Sequence, residues 1–196
     1  MLRYTVSLLT AQVEFEDIRI KQEDWPALKE TFEFGGMPVL ETDDGKKLGQ
    51  TVAIARYLGK KYGYYPEDAY DAWRVDSLID GFQDVQQVFA KIHFGGGDEE
   101  DKKKQFGEFI GNQFSKFLGI VEERLKNNSS QEFLVGDKLT VVDLMMVSVY
   151  TGLFTNGDFK ALFGPAFEKH ATAEAYMKGL TKPFEEYLAK REPRPL

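Results

Sequence analysis

Between Phe34 and Gly63 the chain carries two backbone devices that leave few ways to fold it. Gly35-Gly36 gives a flexible approach to Met37-Pro38, an X-Pro bond for which the cis form is accessible. Val39-Leu40-Glu41-Thr42 reads as a short buried strand, Asp43-Asp44-Gly45 as a hairpin turn, and Lys46-Lys47-Leu48 as the returning strand. Gln50-Thr51 precedes Ala53, Ile54, Tyr57 and Leu58 at helical spacing, which sets Thr51 at or next to a helix N-terminus. A helix start offers unpaired N–H groups and a positive dipole end, suited to an anionic group. A cis-proline bend beside it would present a backbone N–H and C=O to an extended peptide. Together these features describe a pocket for a small anionic peptide.

Composition narrows the alternatives. A chain of 196 residues, 42% hydrophobic and 14% aromatic, can fill a full core in one or two domains. Sixteen Phe and nine Tyr make that core mainly one of rings. With no cysteine, disulfides, thiolate metal sites, a cysteine nucleophile and thioredoxin-type redox chemistry are excluded, and a reducing compartment fits. A net charge of −7 argues against nucleic acid or an anionic membrane as the main partner. A site for an anionic ligand must then make its own positive potential. No stretch is long and apolar enough to cross a bilayer. The apolar run after Met1 is too short for a signal peptide and Glu14 follows it closely. It reads instead as an amphipathic helix with Leu2, Val6 and Leu9 on one face.

Further along, Glu14 to Ile20 alternates as a half-buried strand, and a short helical turn surrounds Trp25-Pro26-Ala27-Leu28-Lys29. Gly63-Tyr64-Tyr65-Pro66-Glu67 breaks the pattern and sets the domain boundary, giving domains at 1–63 and 69–196 with a linker at 64–68. The second domain reads as all helix. Val75, Leu78, Ile79, Phe82, Val85, Val88, Phe89 and Ile92 share one face of its first helix, opposite a polar band of Asp76, Asp80, Gln83, Asp84 and Gln87. Gly95-Gly96-Gly97 ends that helix, and a second runs from the Lys102–Lys104 region through Phe106, Phe114 and Val121 to Leu125. Thr140 and Asp143 form a near capping box, with Leu139 and Leu144 as a hydrophobic staple, before an apolar helix from Val141 to Phe154. Pro183 suits the first position of a final helix ending near Arg191. Asn127 and Asn128 head glycosylation sequons that carry little weight without a secretory signal. His93 and His170 lack ligand partners at useful spacing, so no metal site is expected.

The order Trp25-Pro26-x-x-Lys29, Met37-Pro38-Val39-Leu40-Glu41 and Gln50-Thr51-Val52-Ala53-Ile54-Ala55-Arg56-Tyr57-Leu58 resembles the cytosolic glutathione transferases. The resemblance is closest to the sigma class, which includes nematode and trematode enzymes and haematopoietic prostaglandin D synthase. It implies an α/β thioredoxin-like N-terminal domain, an all-α C-terminal helical bundle and a cytoplasmic homodimer. The implied reaction adds glutathione thiolate to small hydrophobic electrophiles in detoxification, or isomerises a prostaglandin endoperoxide or reduces a peroxide. Glutathione is the implied co-substrate. Thr51, where the family more often has Ser, would hold the γ-glutamyl carboxylate, and Gln50 the γ-glutamyl amino acid. Gly36 belongs to the same stretch, and Met37, before the bend at Pro38, would pair its backbone with the cysteinyl residue. Trp25 and Lys29 would take the glycine carboxylate, and Asp84 would reach the partner's γ-glutamyl ammonium across a dimer. Phe89, Phe94 and Tyr150 are candidate residues of the electrophile pocket.

The resemblance also implies a first strand bearing a catalytic tyrosine, and Leu2-Arg3-Tyr4 matches the helix that follows that strand. About fifteen residues of the usual domain would then precede Met1. No tyrosine of the chain matches the catalytic position. A thiol of ordinary pKa, about 8.5, is mainly protonated at neutral pH, and losing its positioned donor slows the chemical step by roughly 10²–10⁴-fold. Three accounts stay open: a start codon placed too late, a non-catalytic relative with binding or structural duties, or a strand supplied by a partner chain.

Overall fold

The computed structural model describes residues 7–190. Leu2, Tyr4, Val6 and Arg191, which the sequence places on the first and last helices, lie outside the described residues. Residues 7–10 are helical (α1), with Ser7 and Leu8 buried. Then come α2 (Trp25–Leu28) and a 3₁₀ turn at Lys29–Thr31, strands β1 (Leu40–Glu41) and β2 (Lys47–Leu48), and α3 (Thr51–Tyr62). The helical part comprises α4 (Ala69–Phe94), α5 (Glu99–Phe109), α6 (Ser115–Asn127), α7 (Val141–Val149), α8 (Gly157–Lys169), α9 (Ala171–Thr181) and α10 (Glu185–Lys190).

The predicted hairpin forms, with Leu40 opposite Leu48 and Glu41 opposite Lys47. Its turn closes through Gly45, whose N–H donates to Thr42 O at 2.8 Å and whose φ of 77° lies in the left-handed region that glycine tolerates. The predicted strand at Glu14–Ile20 is corrected. Burial does alternate along it, Phe15 and Asp17 being half-buried and Glu14, Glu16 and Ile18 exposed, but no ladder among the described residues pairs with it. Extended backbone becomes a strand only when a neighbour takes its N–H and C=O groups.

α3 stops where the sequence says it should, at Gly63, whose φ of 81° makes a left-handed cap. Two bonds then carry the chain onto the helical bundle: Tyr64 N–H to Gly59 O and Val141 N–H to Tyr64 O, each 2.7 Å. Gly59 is buried at this crossing, and a β-carbon there would meet Val141 Cβ at 3.2 Å and Tyr65 Cβ at 3.3 Å. Gly59→Ala is therefore expected to destabilise the fold by about 1–3 kcal/mol, the usual cost of overpacking, read from the shift of the urea midpoint.

α4 buries the stripe read from its periodicity: Val75, Leu78, Ile79, Phe82, Val85 and Ile92 are buried, with Val88 and Phe89 packed against them. The second long helix is not continuous. A π-helical turn at Ile110–Phe114 separates α5 from α6, and a second, Tyr150–Phe154, ends the apolar run that α7 begins. Both turns deliver a ring to one place, where Phe114 and Phe154 stand edge-on at 4.9 Å and each contacts Phe163. The extra residue per turn aims Phe114 and Phe154 inward, a packing cause invisible to periodicity. Pro183 sits in a 3₁₀ turn, Lys182–Phe184, just ahead of α10 rather than inside it.

The capping box at Thr140 forms around a carboxylate that is 0% exposed. Asp143 accepts from Thr140 N and Thr140 Oγ1, both 2.7 Å, from Leu134 N at 3.0 Å, and from the Tyr176 hydroxyl. Burial pushes the Asp143 carboxyl up against the pull of these four donors, and burial beside that carboxyl pushes the Tyr176 phenol well up. Asn128, second of the sequon asparagines, is buried and holds its loop, its two amide N–H groups donating to Phe133 O and Gly136 O with Ser130 Oγ also within 2.9 Å.

Candidate functional site

The hairpin register assembles the corner that the sequence singles out. The Met37–Pro38 bend, which leads into β1, and the Gln50–Thr51 start of α3, which follows β2, both leave from the open end of that two-stranded ladder. The Met37–Pro38 bond is cis, the form the sequence left accessible. Met37 is 45% exposed, and neither its N–H nor its C=O has a hydrogen bond among the described residues.

The other element at that end is the mouth of α3. Its N-cap residue, Gln50, makes no side-chain cap, and the first helical bond runs from Ile54 N–H to Gln50 O at 3.0 Å. The N–H groups of Thr51, Val52 and Ala53 are thus left open at the positive end of the helix dipole. Thr51 is half-buried and its hydroxyl has no partner among the described residues. Gln50 holds φ 68° and ψ 110°, a region that costs a non-glycine residue about 1–3 kcal/mol. Strain at an uncapped helix mouth marks a place shaped for something other than stability.

Lys29 and Trp25 come from the short helical segment that precedes this corner in the chain. The Lys29 stem lies over Gly35, its Cε 3.5 Å from where a β-carbon there would stand. Among the described residues Lys29 has no carboxylate within salt-bridge distance. Trp25 stacks on Phe32 at 5.9 Å, and Phe32 lines a cavity of about 310 Å³ with Phe34, Gly36, Val39, Lys47 and Gly49. The Phe34 ring closes over Gly49, where a β-carbon would approach it to 3.0 Å.

Asp84 stands apart, exposed on α4, with no hydrogen bond or ion pair to the corner among the described residues. Phe89 is packed among Phe106, Phe109, Phe159 and Phe163, Tyr150 is buried with its hydroxyl 3.4 Å from Glu174, and Phe94 is 78% exposed. Among the described residues no ring contact joins these three to one another. Among the described residues no group of three or more His, Cys, Asp or Glu is placed to hold a metal.

Two polar clusters escaped sequence reasoning. Arg56 on α3 reaches Asp76 at 2.8 Å and Asp80 at 3.2 Å on α4, and the Tyr65 hydroxyl donates to Asp76 at 2.8 Å. This lock fixes the corner against the helical bundle. Burial and the Asp76 carboxylate push the Tyr65 phenol up to about 12. Because the folded value lies above the unfolded value of about 10, its contribution is complete below pH 10 and is lost as pH rises towards 12. Tyr65→Phe is expected to flatten the alkaline fall in stability over that window, measured by urea unfolding at each pH. In the second cluster His170 joins Ser115 and Glu122, at 2.8 Å each, while Glu122 accepts from Thr172 N and Ala173 N. That arrangement caps α9 against α6.

Comparison with known proteins gives the family. The family model described as the glutathione S-transferase N-terminal domain matches residues 1–60, and that of the C-terminal domain matches residues 83–191. The chain belongs to the glutathione S-transferase family. Among similar proteins, probable glutathione S-transferase 5 of Caenorhabditis elegans is 39% identical, over 81% of this chain and 77% of the relative. A prostaglandin D synthase structure from Nilaparvata lugens superposes with a TM-score of 0.82 at 28% identity, covering 98% of this chain and 92% of that one. A glutathione S-transferase of the hookworm Necator americanus, described as monomeric, gives 0.82 at 28% identity over 100% and 93%. The small sheet with its helical C-terminal domain is the architecture of this family, and the Caenorhabditis elegans and Necator americanus relatives are named glutathione S-transferases. Among the described residues no helix is long and apolar enough to cross a membrane.

Proposed function

We propose that the corner between Met37–Pro38 and the mouth of α3 binds glutathione, and that the protein transfers its thiolate to small hydrophobic electrophiles in the cytoplasm. The observation that carries this reading is the mouth of α3, with three open N–H donors, at the same end of the hairpin as the cis Met37–Pro38 bend, whose Met37 backbone is unpaired among the described residues. The γ-glutamyl carboxylate meets the Thr51 hydroxyl and the helix mouth, and Gln50 meets the adjacent amino acid. The cysteinyl residue pairs with the Met37 backbone beside Gly36 and Pro38, while Trp25 and Lys29 take the glycine carboxylate. In the reaction the sulfur supplies both electrons of a new carbon–sulfur bond, and a leaving group such as chloride departs with its own pair.

The test pairs retention on immobilised glutathione with conjugation of a chlorodinitrobenzene, followed by its absorbance. Retention with turnover supports transfer. Retention without turnover leaves binding alone, and folded protein that is not retained contradicts the site. Asp84 serves only if two copies associate, since it has no place at the corner of its own chain. Asp84→Asn is therefore expected to raise the KM for glutathione only where sedimentation finds a dimer.

A further inference from the structure

Along α9 two cavities share a wall, the larger lying against α6 and the smaller against α7, the start of α10 and residues 9–12. None of their lining residues belongs to the hairpin corner. The larger, about 1030 Å³, is a trough whose rim carries Glu122, Glu123 and Glu132 against a single cation, Lys126. Glu122 is engaged by His170 and the start of α9. Glu123 and Glu132 are exposed, and neither is in a salt bridge among the described residues. The trough wall includes the Tyr176 ring, whose hydroxyl is tied inward to Asp143. A fixed aromatic ring in a cavity that three carboxylates also line favours a cation.

The smaller cavity, about 450 Å³, is a mainly apolar slot lined by Leu139, Leu144, Val147, Pro183 and Phe184, with Thr10, Gln12 and Tyr187 also in its wall. Gly179 and Leu180 of α9 line both cavities. A β-carbon at Gly179 would meet nothing within 4 Å, so the passage over that residue is open. An acidic trough joined to an apolar slot has the polarity of a head-and-tail ligand.

We propose that trough and slot together bind a single-chain cationic amphiphile. Its ammonium head lies over Glu123 and Glu132 beside Tyr176, and its alkyl tail crosses Gly179 into the slot. Charge selects the head, since the rim is acidic on a chain of net charge −7. Apolar burial selects the tail.

The experiment is calorimetric titration of the full chain with decyltrimethylammonium below its micellar concentration. Saturable 1:1 binding is expected, tightening about 2- to 4-fold for each methylene added from octyl to decyl. Decanoate and tetramethylammonium, which lack the head charge or the tail, are expected to show no saturable binding. The double variant Glu123→Gln with Glu132→Gln is expected to weaken binding by about 3- to 10-fold. Gly179→Leu, which blocks the passage, should weaken it by more. Ala175→Lys, on the exposed trough wall, provides a second blocking variant should Gly179→Leu fail to fold. Non-saturable uptake, equal binding of decanoate, or wild-type affinity in both the double variant and a folded blocking variant overturns the proposal. These outcomes are independent of retention on glutathione, so this site and the hairpin corner stand or fall separately.

Discussion

Asp143→Ala is expected to lower stability by about 3–5 kcal/mol, the largest effect of any single substitution considered. The carboxylate is fully buried and accepts from four donors on three separate segments: Thr140, which contributes two, Leu134 and Tyr176. Removing it strands a buried backbone N–H at Leu134, leaves the Tyr176 hydroxyl without its acceptor, and takes away the N3 half of the capping box. Each buried unsatisfied group costs about 1–3 kcal/mol and a lost cap about 1. Against a total stability of roughly 5–15 kcal/mol, a chain of this length should melt about 6–20 °C lower. Asp143→Asn keeps the shape but turns one acceptor into a donor facing donors, so it should recover little. Tyr176→Phe removes one donor and leaves the other three, and about 1–2 kcal/mol is expected. Urea unfolding of the three variants checks the order. A loss below 1 kcal/mol for Asp143→Ala would show that the helix is not held from this carboxylate.

Thr51→Val should lower glutathione affinity about 10- to 100-fold while leaving stability within about 0.5 kcal/mol. The substitution keeps the β-branch at the first position of α3 and removes only the hydroxyl, which is half-buried and without a partner among the described residues. A hydrogen bond to a charged group contributes about 1.5–3 kcal/mol. The open N–H donors of Thr51, Val52 and Ala53 remain, so binding weakens rather than vanishes. Isothermal titration and the KM for glutathione should move together, since the lost contact lies away from the sulfur. An unchanged affinity would remove Thr51 from the site. A matching loss of stability would make its role structural.

Periodicity and local chemistry carried the fold a long way. The buried stripe of α4, the turn at Gly45, the box at Thr140 and Asp143, and the cap at Gly63 each depend on residues a few positions apart. Features made by distant segments were not legible. Arg56 meets Asp76 twenty residues on, across two helices, so Asp76 and Asp80 read only as a polar band. His170 looked unpartnered because its contacts, Glu122 and Ser115, lie 48 and 55 residues away. The two π-turns answer to rings gathered from different helices, which no window along the chain contains. At the corner, residue types and order suggested the ligand, whereas the strain at Gln50 and the missing cap of α3 emerged only from the backbone.

The most direct test is an amide shift map of isotopically labelled protein titrated with glutathione. Saturable shifts at Met37 and at Thr51, Val52 and Ala53, with the indole of Trp25 following, are the predicted result. Saturable binding that moves other amides while those four stay fixed would contradict the account.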